Sequence, residues 1–169
     1  MADKQENNIV ADKLKVTFGT EILKSESFRN QLTFVVKRDR ILDIMKFLKE
    51  DSELAYDFLA DLTAVDYLKM EKNPRFEVVY NLRSMKYHRR LRIRVPVSEN
   101  DCRIESMSGL WKSANWMERE ASEMYGIAFE NHPDLRKLLM PETFQHFPLR
   151  KDFPLRGKGE RDVILPEGS

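Results

Sequence analysis

Cysteine is nearly absent, with Cys102 the single thiol of the chain. One thiol excludes an internal disulfide framework, a CxxC redox pair, and an iron-sulfur cluster held by about four thiolates of this chain alone. A reducing compartment is the default that follows. No run of about 18 consecutive apolar residues occurs, which excludes a bilayer-spanning helix and leaves any membrane association indirect. The opening Met1-Ala2-Asp3-Lys4-Gln5-Glu6-Asn7-Asn8 has no apolar stretch and carries acids that an Arg-rich transit peptide avoids. A cytoplasmic start is expected. Charge of one sign is lacking too: 29 Lys and Arg nearly cancel 28 Asp and Glu, leaving +1. No global field draws in nucleic acid or an acidic membrane, so any basic function is local.

Several catalytic signatures are missing as well. His88, His132 and His146 show no HxH, HExxH or Cys-His spacing, which leaves a zinc site without support. Gly157-Lys158-Gly159 lacks the third glycine and the preceding strand of a dinucleotide loop, and no GxxxxGKS or GxxxxGKT sequence exists. No serine sits in a GxSxG elbow. These absences argue against a cofactor or a nucleophile in this chain.

What is present fits one domain with a tail: 169 residues, 41% hydrophobic and 34% charged. Proline divides the chain. Pro74 and Pro96 precede residue 130, whereas Pro133, Pro141, Pro148, Pro154 and Pro166 follow it, so the C-terminal stretch cannot hold long helices or central strands. A boundary near Asn131 separates a compact domain, residues 1–131, from an extended arm, residues 132–169.

Within the first part, Ile9, Val10 and Leu14 suggest a short helix from Ile9 to Phe18, ended by Gly19. Leu32, Phe34 and Val36 alternate as in a strand; Asp39 is placed to cap a helix bearing Ile41, Ile44, Met45 and Leu48. A short helical turn is expected from Ser52 and Ala55 through Leu54, Phe58 and Leu59, before a loop around Asn73-Pro74. Residues 60–66 fit either type. Phe76 to Leu82 and the alternating Leu91, Ile93, Val95 and Val97 predict a hairpin. Ser98 is expected to cap a helix carrying Ile104, Met107 and Trp111, with Gly109 weak in its last turn. Asn115-Trp116-Met117-Glu118 has capping-box spacing and opens a helix through Ala121, Met124 and Tyr125 to Gly126. Strands and helices mix without regular βαβ alternation, which predicts an α+β fold: a mixed sheet packed with several helices, followed by the proline-rich arm.

Arg90, Arg92 and Arg94 share one strand face, since side chains repeat every second residue. The plain reading is a solvated face paired with acids; partner docking is the sharper one, and RNA binding would ask for aromatics beside them. In the helix from Asn115 to Tyr125, Glu120 falls with Met117, Ala121 and Met124 on the expected buried side, where it needs a basic partner. Arg119 and Glu123, four apart, are expected to pair. Burial would suit Glu120 to acid catalysis, but no second catalytic group accompanies it, so structural anchoring is preferred to a small hydrolase. His132 is read as bracing a loop. From Met140 to Ser169, Phe144, Phe147, Leu149, Phe153 and Leu155 interleave with Arg150, Lys151, Arg156 and Lys158. Too apolar for an inert linker, this segment reads as an arm lying on a partner.

Three segments then become specific: Glu118-Arg119-Glu120-Ala121-Ser122-Glu123-Met124-Tyr125-Gly126-Ile127, His132-Pro133-Asp134-Leu135-Arg136-Lys137-Leu138-Leu139-Met140-Pro141, and Pro148-Leu149-Arg150-Lys151-Asp152-Phe153-Pro154. They resemble the family of C subunits of the proton-translocating NADH:quinone oxidoreductase, respiratory complex I. The likeness is dense from Trp116 to Leu155, and Asp61-Leu62-Thr63-Ala64-Val65-Asp66-Tyr67 resembles an earlier family segment. Glu123 stands where the family commonly has Asp. His146-Phe147 replace a usual Gly-His before Pro148, and Phe144 replaces a common Trp, which implies a slightly different path for the arm.

The resemblance implies a peripheral-arm subunit with no catalytic residue, metal or cofactor of its own. Flavin, iron-sulfur clusters and quinone would lie in partner subunits. Its partners would be chiefly the D subunit, which helps form the quinone site, and a cluster-bearing neighbour, without nucleic acid. Its place would be the cytoplasmic face of the bacterial inner membrane, held there only through the complex. The implied interface residues are Glu118, Arg119, Glu120, Glu123, Gly126, His132, Pro133, Arg136, Pro141, Pro148, Leu149, Arg150, Lys151, Asp152 and Pro154, with the helix acids expected to meet Arg136, Arg150, Lys151 or partner charges. Similar subunits occur in membrane-bound hydrogenases, deazaflavin-linked dehydrogenases and the photosynthetic quinone-reducing complex. A free-standing RNA-binding module using Arg90, Arg92 and Arg94 is the alternative from a different class.

Overall fold

Alternation of apolar and polar residues builds the middle of the chain into a five-stranded sheet. A computed structural model describes residues 2–70 and 72–158, with side chains from Ile9 onward; the end of the expected arm, residues 159–169, lies outside the described residues. Helix α1 (Ala2–Phe18) leads through a 3-10 turn (Gly19–Glu21) into strand β1 (Ile22–Phe28), β2 (Gln31–Val36) and helix α2 (Ile41–Glu50). Strands β3 (Phe58–Asp66), β4 (Phe76–Ser84) and β5 (Arg89–Val97) follow, then β6 (Arg103–Glu105), helix α3 (Ala114–Tyr125) and β7 (Ala128–Glu130). The sheet order is β1-β2-β5-β4-β3, parallel between β2 and β5 and antiparallel elsewhere. The fold is α+β, as the sequence predicts.

Register explains the division of the two sheet faces. Phe34, Ile93, Tyr80 and Leu62 align across four strands, as do Leu32, Leu91, Leu82 and Leu59. These rows pack with Val10, Leu14 and Phe18 of α1, with Ile41, Ile44, Met45 and Leu48 of α2, and with Ala114 and Ala121 of α3. The four α2 side chains are fully buried, each stabilising the fold by about 1.5–3 kcal/mol relative to exposure. The opposite face carries the row Glu26, Thr33, Arg92, Asn81 and Asp61 and is open to solvent along β3 and at Arg90.

Several local expectations fail for identifiable reasons. No helical turn runs through Phe58 and Leu59, which begin β3; a bulge between Leu59 and Asp61 buries Leu59 and Leu62 three apart, imitating helical spacing. The region 60–66 is strand. No helix follows Ser98: Ile104 lies on β6, paired in parallel with β7, while the Met107 carbonyl accepts the N–H groups of Leu110 and Trp111 in a turn. All three apolar residues are buried, but by nonlocal packing. Asp39 does not cap α2, whose N-cap is Arg40 with no side-chain bond. Nor is there a capping box at Asn115, because α3 begins after Ser113 and Glu118 turns inward.

Candidate functional site

Helix α3 packs beside β3, and the chain beyond β7 runs back along it without further helix or strand through Lys158. The dense family-like segments meet here. Glu123, nearly buried, accepts the backbone N–H groups of Leu138 and Leu139 at 3.0 Å each and that of Met140. Three consecutive donors converging on one carboxylate form an anion-binding nest made from the following chain. Arg119 completes the fastening: Nε donates to the Arg136 carbonyl at 2.8 Å and Nη2 to the Lys137 carbonyl at 3.0 Å. Arg119 and Glu123 therefore do not pair with each other, since each is engaged by backbone of residues 136–140.

The C-terminus of α3 is closed by the same segment. Gly126 adopts φ 74° in the left-handed region and returns its N–H to the Ser122 carbonyl. A Cβ there would stand 2.6 Å from the Phe147 ring and 2.7 Å from Arg150 Nη2, so glycine is required on two counts. Leu149 N–H donates to the Met124 carbonyl, and Arg150 Nε to the Tyr125 carbonyl at 2.6 Å. A cation and an amide thus satisfy carbonyls that a helix end leaves open. Arg150 also lies over the rings of Phe147 and Phe76. It meets carbonyls and rings rather than a helix acid.

A third fastening uses residues that periodicity does not single out. Asp66, at the end of β3, receives Arg75 Nε at 2.9 Å and Nη2 at 2.7 Å, and also the backbone N–H groups of Leu68 and Lys151 at 2.9 Å. Arg75 in turn holds Asp152 through both carboxylate oxygens and pairs with Glu99. Burial pushes the Asp66 carboxyl up, but Arg75 and the two amides outweigh it and hold it at about 2. Arg75 escapes sequence reasoning because its position between Pro74 and Phe76 carries no pattern; Asp66 carries a signal only in the Asp61–Tyr67 likeness.

The expectation for Glu120 is overturned. It is exposed, while Glu118, two residues earlier, is fully buried. Glu118 accepts from Ser106 Oγ at 2.6 Å and from the Met107 N–H, with His132 Nε2 3.8 Å away. Burial raises its carboxyl to about 7 against the pull of those two donors. The helix turns a different stripe inward because β6 and the turn after it cover the Glu118 side. His132 does brace the loop: Nδ1 accepts the Asp134 N–H at 3.0 Å, so a neutral ring carries its proton on Nε2, 3.1 Å from the Asn115 carbonyl.

The other expected residues are spread along the segment. Arg136 is exposed and pairs with Asp134, Nη2 to Oδ2 at 2.7 Å, rather than with the helix. Lys151 contributes its backbone N–H to Asp66, and its Nζ faces the Met70 sulfur. The Pro141 and Pro154 carbonyls close turns with the N–H groups of Phe144 and Gly157. Pro133 is exposed, Pro148 half-buried, and Leu149 points outward. On the strand face, Arg94 pairs with Glu77 and Glu26, and Arg92 bonds to Asn81 and Gln31.

Among the described residues, no group of three His, Cys, Asp or Glu side chains is placed to hold a metal ion. Cys102 is partly buried, which pushes its thiol up, away from nucleophilic readiness. No helix among those residues is long and apolar enough to cross a membrane. The arrangement fastens the segment after β7 to α3 and β3 through hydrogen bonds and ion pairs within the chain.

Known proteins are similar to this chain in sequence and in fold. The family described as "Respiratory-chain NADH dehydrogenase, 30 Kd subunit" matches residues 34–159. The C subunit of NADH-quinone oxidoreductase from Geotalea uraniireducens is 49% identical over 157 residues, 93% of each chain. That of Geobacter sulfurreducens is 47% identical over 152 residues, 90% of this chain and 92% of its own. Among solved structures, a trypsin-resistant fragment (1-134) of Nqo5 superposes with a TM-score of 0.66 at 34% identity, covering 75% of this chain and 98% of the fragment. A chain of the archaeal membrane-bound sulfane sulfur reductase superposes with a TM-score of 0.73 over 98% of this chain and 95% of its own, at 22% identity, a likeness of fold. With the fold, the α3 segment and these relatives in agreement, the chain belongs to the respiratory-chain NADH dehydrogenase 30 kDa subunit family, the C subunits of NADH-quinone oxidoreductase.

Proposed function

We propose that this chain is a non-redox scaffold of the peripheral arm of NADH-quinone oxidoreductase and supports the quinone-site module by docking the D subunit. The reading treats residues 1–131 as the compact body and the chain from residue 132 onward as the docking arm. One observation carries it. The backbone of the arm is tied down at Glu123, Arg119, Asp66 and the end of α3, while Leu135, Leu139, Leu149 and Leu155 are exposed. A segment with its polar contacts on one side and large apolar groups on the other suits a surface completed by a partner.

In this reading the chain holds no cofactor. Flavin, clusters and quinone belong to neighbouring subunits, the cluster-bearing one included, and electrons pass it by. Nucleic acid has no part, and the membrane's cytoplasmic face is reached only through the complex. The fifteen implied interface residues act by shaping the docking surface. Arg119, Glu123, Gly126, Arg150 and Asp152 position the arm, and Leu149 with its apolar neighbours meets the partner.

The test is to tag the chain in its native cells, extract membranes gently, and identify what copurifies together with NADH-dependent quinone reduction. The unsubstituted chain should bring down a large assembly containing the D subunit. Leu139→Glu with Leu149→Glu should lower the yield of that assembly while turnover per assembled complex is unchanged. A normal yield with lost turnover would instead assign the arm a direct part in catalysis.

A further inference from the structure

Arg83 on β4 and Arg90 on β5 are cross-strand partners on the open face of the sheet. Like charges placed directly opposite in an antiparallel pair repel and are destabilising unless compensated. Among the described residues neither arginine has a carboxylate partner: the ion pairs of this face belong to Arg94, which meets Glu77 and Glu26. Arg83 Nε is buried and makes no hydrogen bond. The neighbouring Arg92 directs its donors to neutral oxygens, Asn81 Oδ1 at 2.9 Å and Gln31 Oε1 at 3.2 Å. Asp61, in the row of Arg92 and Asn81, accepts from Asn81 Nδ2 at 3.2 Å. The imbalance is local, since Arg94, four residues beyond Arg90 along β5, is compensated within the chain.

Shape and surroundings agree with a binding role. Arg83, Arg90 and Arg92 line an open groove of about 340 Å³ together with Gln31, Ala60 and Asn81. Ala60, the extra residue of the β3 bulge, lines this groove with only a methyl group. Register places exposed Phe58 beside Arg83 and exposed Phe28 beside Gln31, so an aromatic ring flanks the arginines on either side. Arginine forks with aromatic neighbours are the composition of interface hot spots, and guanidinium groups match carboxylates two bonds at a time.

We propose that this groove docks an acidic segment of a neighbouring protein chain, whose Asp or Glu carboxylates supply the countercharge missing between Arg83 and Arg90. A polypeptide fits better than a nucleic acid. A chain of net charge +1 offers a long phosphate backbone no wider field beyond these arginines. The inference goes beyond the docking arm, which lies on other elements, and depends only on the chain having protein neighbours.

The experiment replaces Phe58 by a photo-reactive phenylalanine in the tagged chain in its native cells, followed by irradiation and mass spectrometry of the captured peptide. The result expected is capture of one protein segment bearing at least two acidic residues. Arg83→Gln with Arg90→Gln should cut that capture by about tenfold or more, and Arg83→Lys with Arg90→Lys, which keeps the charge but not the fork, should keep more of it than the Gln pair does. Because the Gln pair also removes a repulsion, the melting temperature of the full chain should not fall. Capture of nucleic acid or lipid overturns the proposal. So does capture of a segment without acids, no capture from the unsubstituted arginine background, or equal capture by the Gln and Lys pairs.

Discussion

Arg75 grips Asp66 through two parallel hydrogen bonds, Nε to Oδ1 at 2.9 Å and Nη2 to Oδ2 at 2.7 Å, where β3 ends and β4 begins. Both side chains are nearly buried, and the same arginine reaches Asp152 of the C-terminal segment. One guanidinium therefore joins the sheet to the arm, and the stability of the sheet edge and the placement of the arm depend on the same pair.

Replacing Arg75 by Met leaves Asp66 charged and buried without its main partner. Breaking such a pair from one side costs about 3–5 kcal/mol, and denaturant unfolding of the full chain should show a loss of that order. A loss under about 1 kcal/mol would mean that the amides of Leu68 and Lys151 suffice.

Acid should act on the same pair. The Asp66 carboxyl lies at about 2 when folded against an ordinary 3.8, so its stabilisation is present above about pH 4 and is lost as pH falls toward 2. A shift of nearly two units corresponds to about 2.5 kcal/mol. The unfolding free energy of Asp66→Asn should be lower at neutral pH and fall less steeply between pH 4 and 2.

Glu118 should work in the opposite sense. Its carboxyl is raised from 4.5 to about 7, so the folded state holds a proton that the unfolded state has released, and stability is lost as pH rises through that window. The wild-type chain should lose about 3 kcal/mol from this group between pH 4.5 and 7. Glu118→Gln keeps an uncharged acceptor for Ser106 and should flatten that part of the profile; an unchanged slope would assign it to another group.

Gly126→Ala introduces a Cβ against Phe147 and Arg150 at a left-handed position. Strain of about 1–3 kcal/mol should fall on the arm contact. Trypsin should cut after Arg136 and Arg150 faster than in the wild type, with α3 itself intact by circular dichroism.

Glu123→Gln exchanges one accepting oxygen for an N–H₂ that faces backbone donors. Charge-assisted bonds contribute about 1.5–3 kcal/mol each, so the amides of Leu138, Leu139 and Met140 should lose hydrogen-exchange protection by about tenfold or more. Unchanged protection would mean that Arg119 alone holds the segment.

Local pattern was enough for much of this fold. The period of α2, the alternation of β2 and β5, the β4-β5 hairpin and the Gly126 stop are written in neighbouring residues, because a helix face or a strand face is defined within a few positions. Ile104, Met107 and Trp111 show where that reasoning ends: their spacing is helical, yet Ile104 pairs on β6 with Phe129, 25 residues on, and all three are buried in the core shared with the sheet.

Among the site residues, sequence alone marked the α3 segment, the His132 loop and the segment around Arg150 as belonging together, through a family likeness and the crowding of proline after residue 130. It also determined that no disulfide can form within the chain and that no global charge field exists. Only the tertiary structure decided that Glu118 rather than Glu120 is buried, that Glu123 faces backbone N–H groups instead of Arg119, and that Arg75 ties Asp66 to Asp152. The physical reason is common to all three. A carboxylate or guanidinium takes its partner from whatever donor or acceptor the fold brings within about 3 Å, and that neighbour is set by packing between distant segments rather than by the spacing along one.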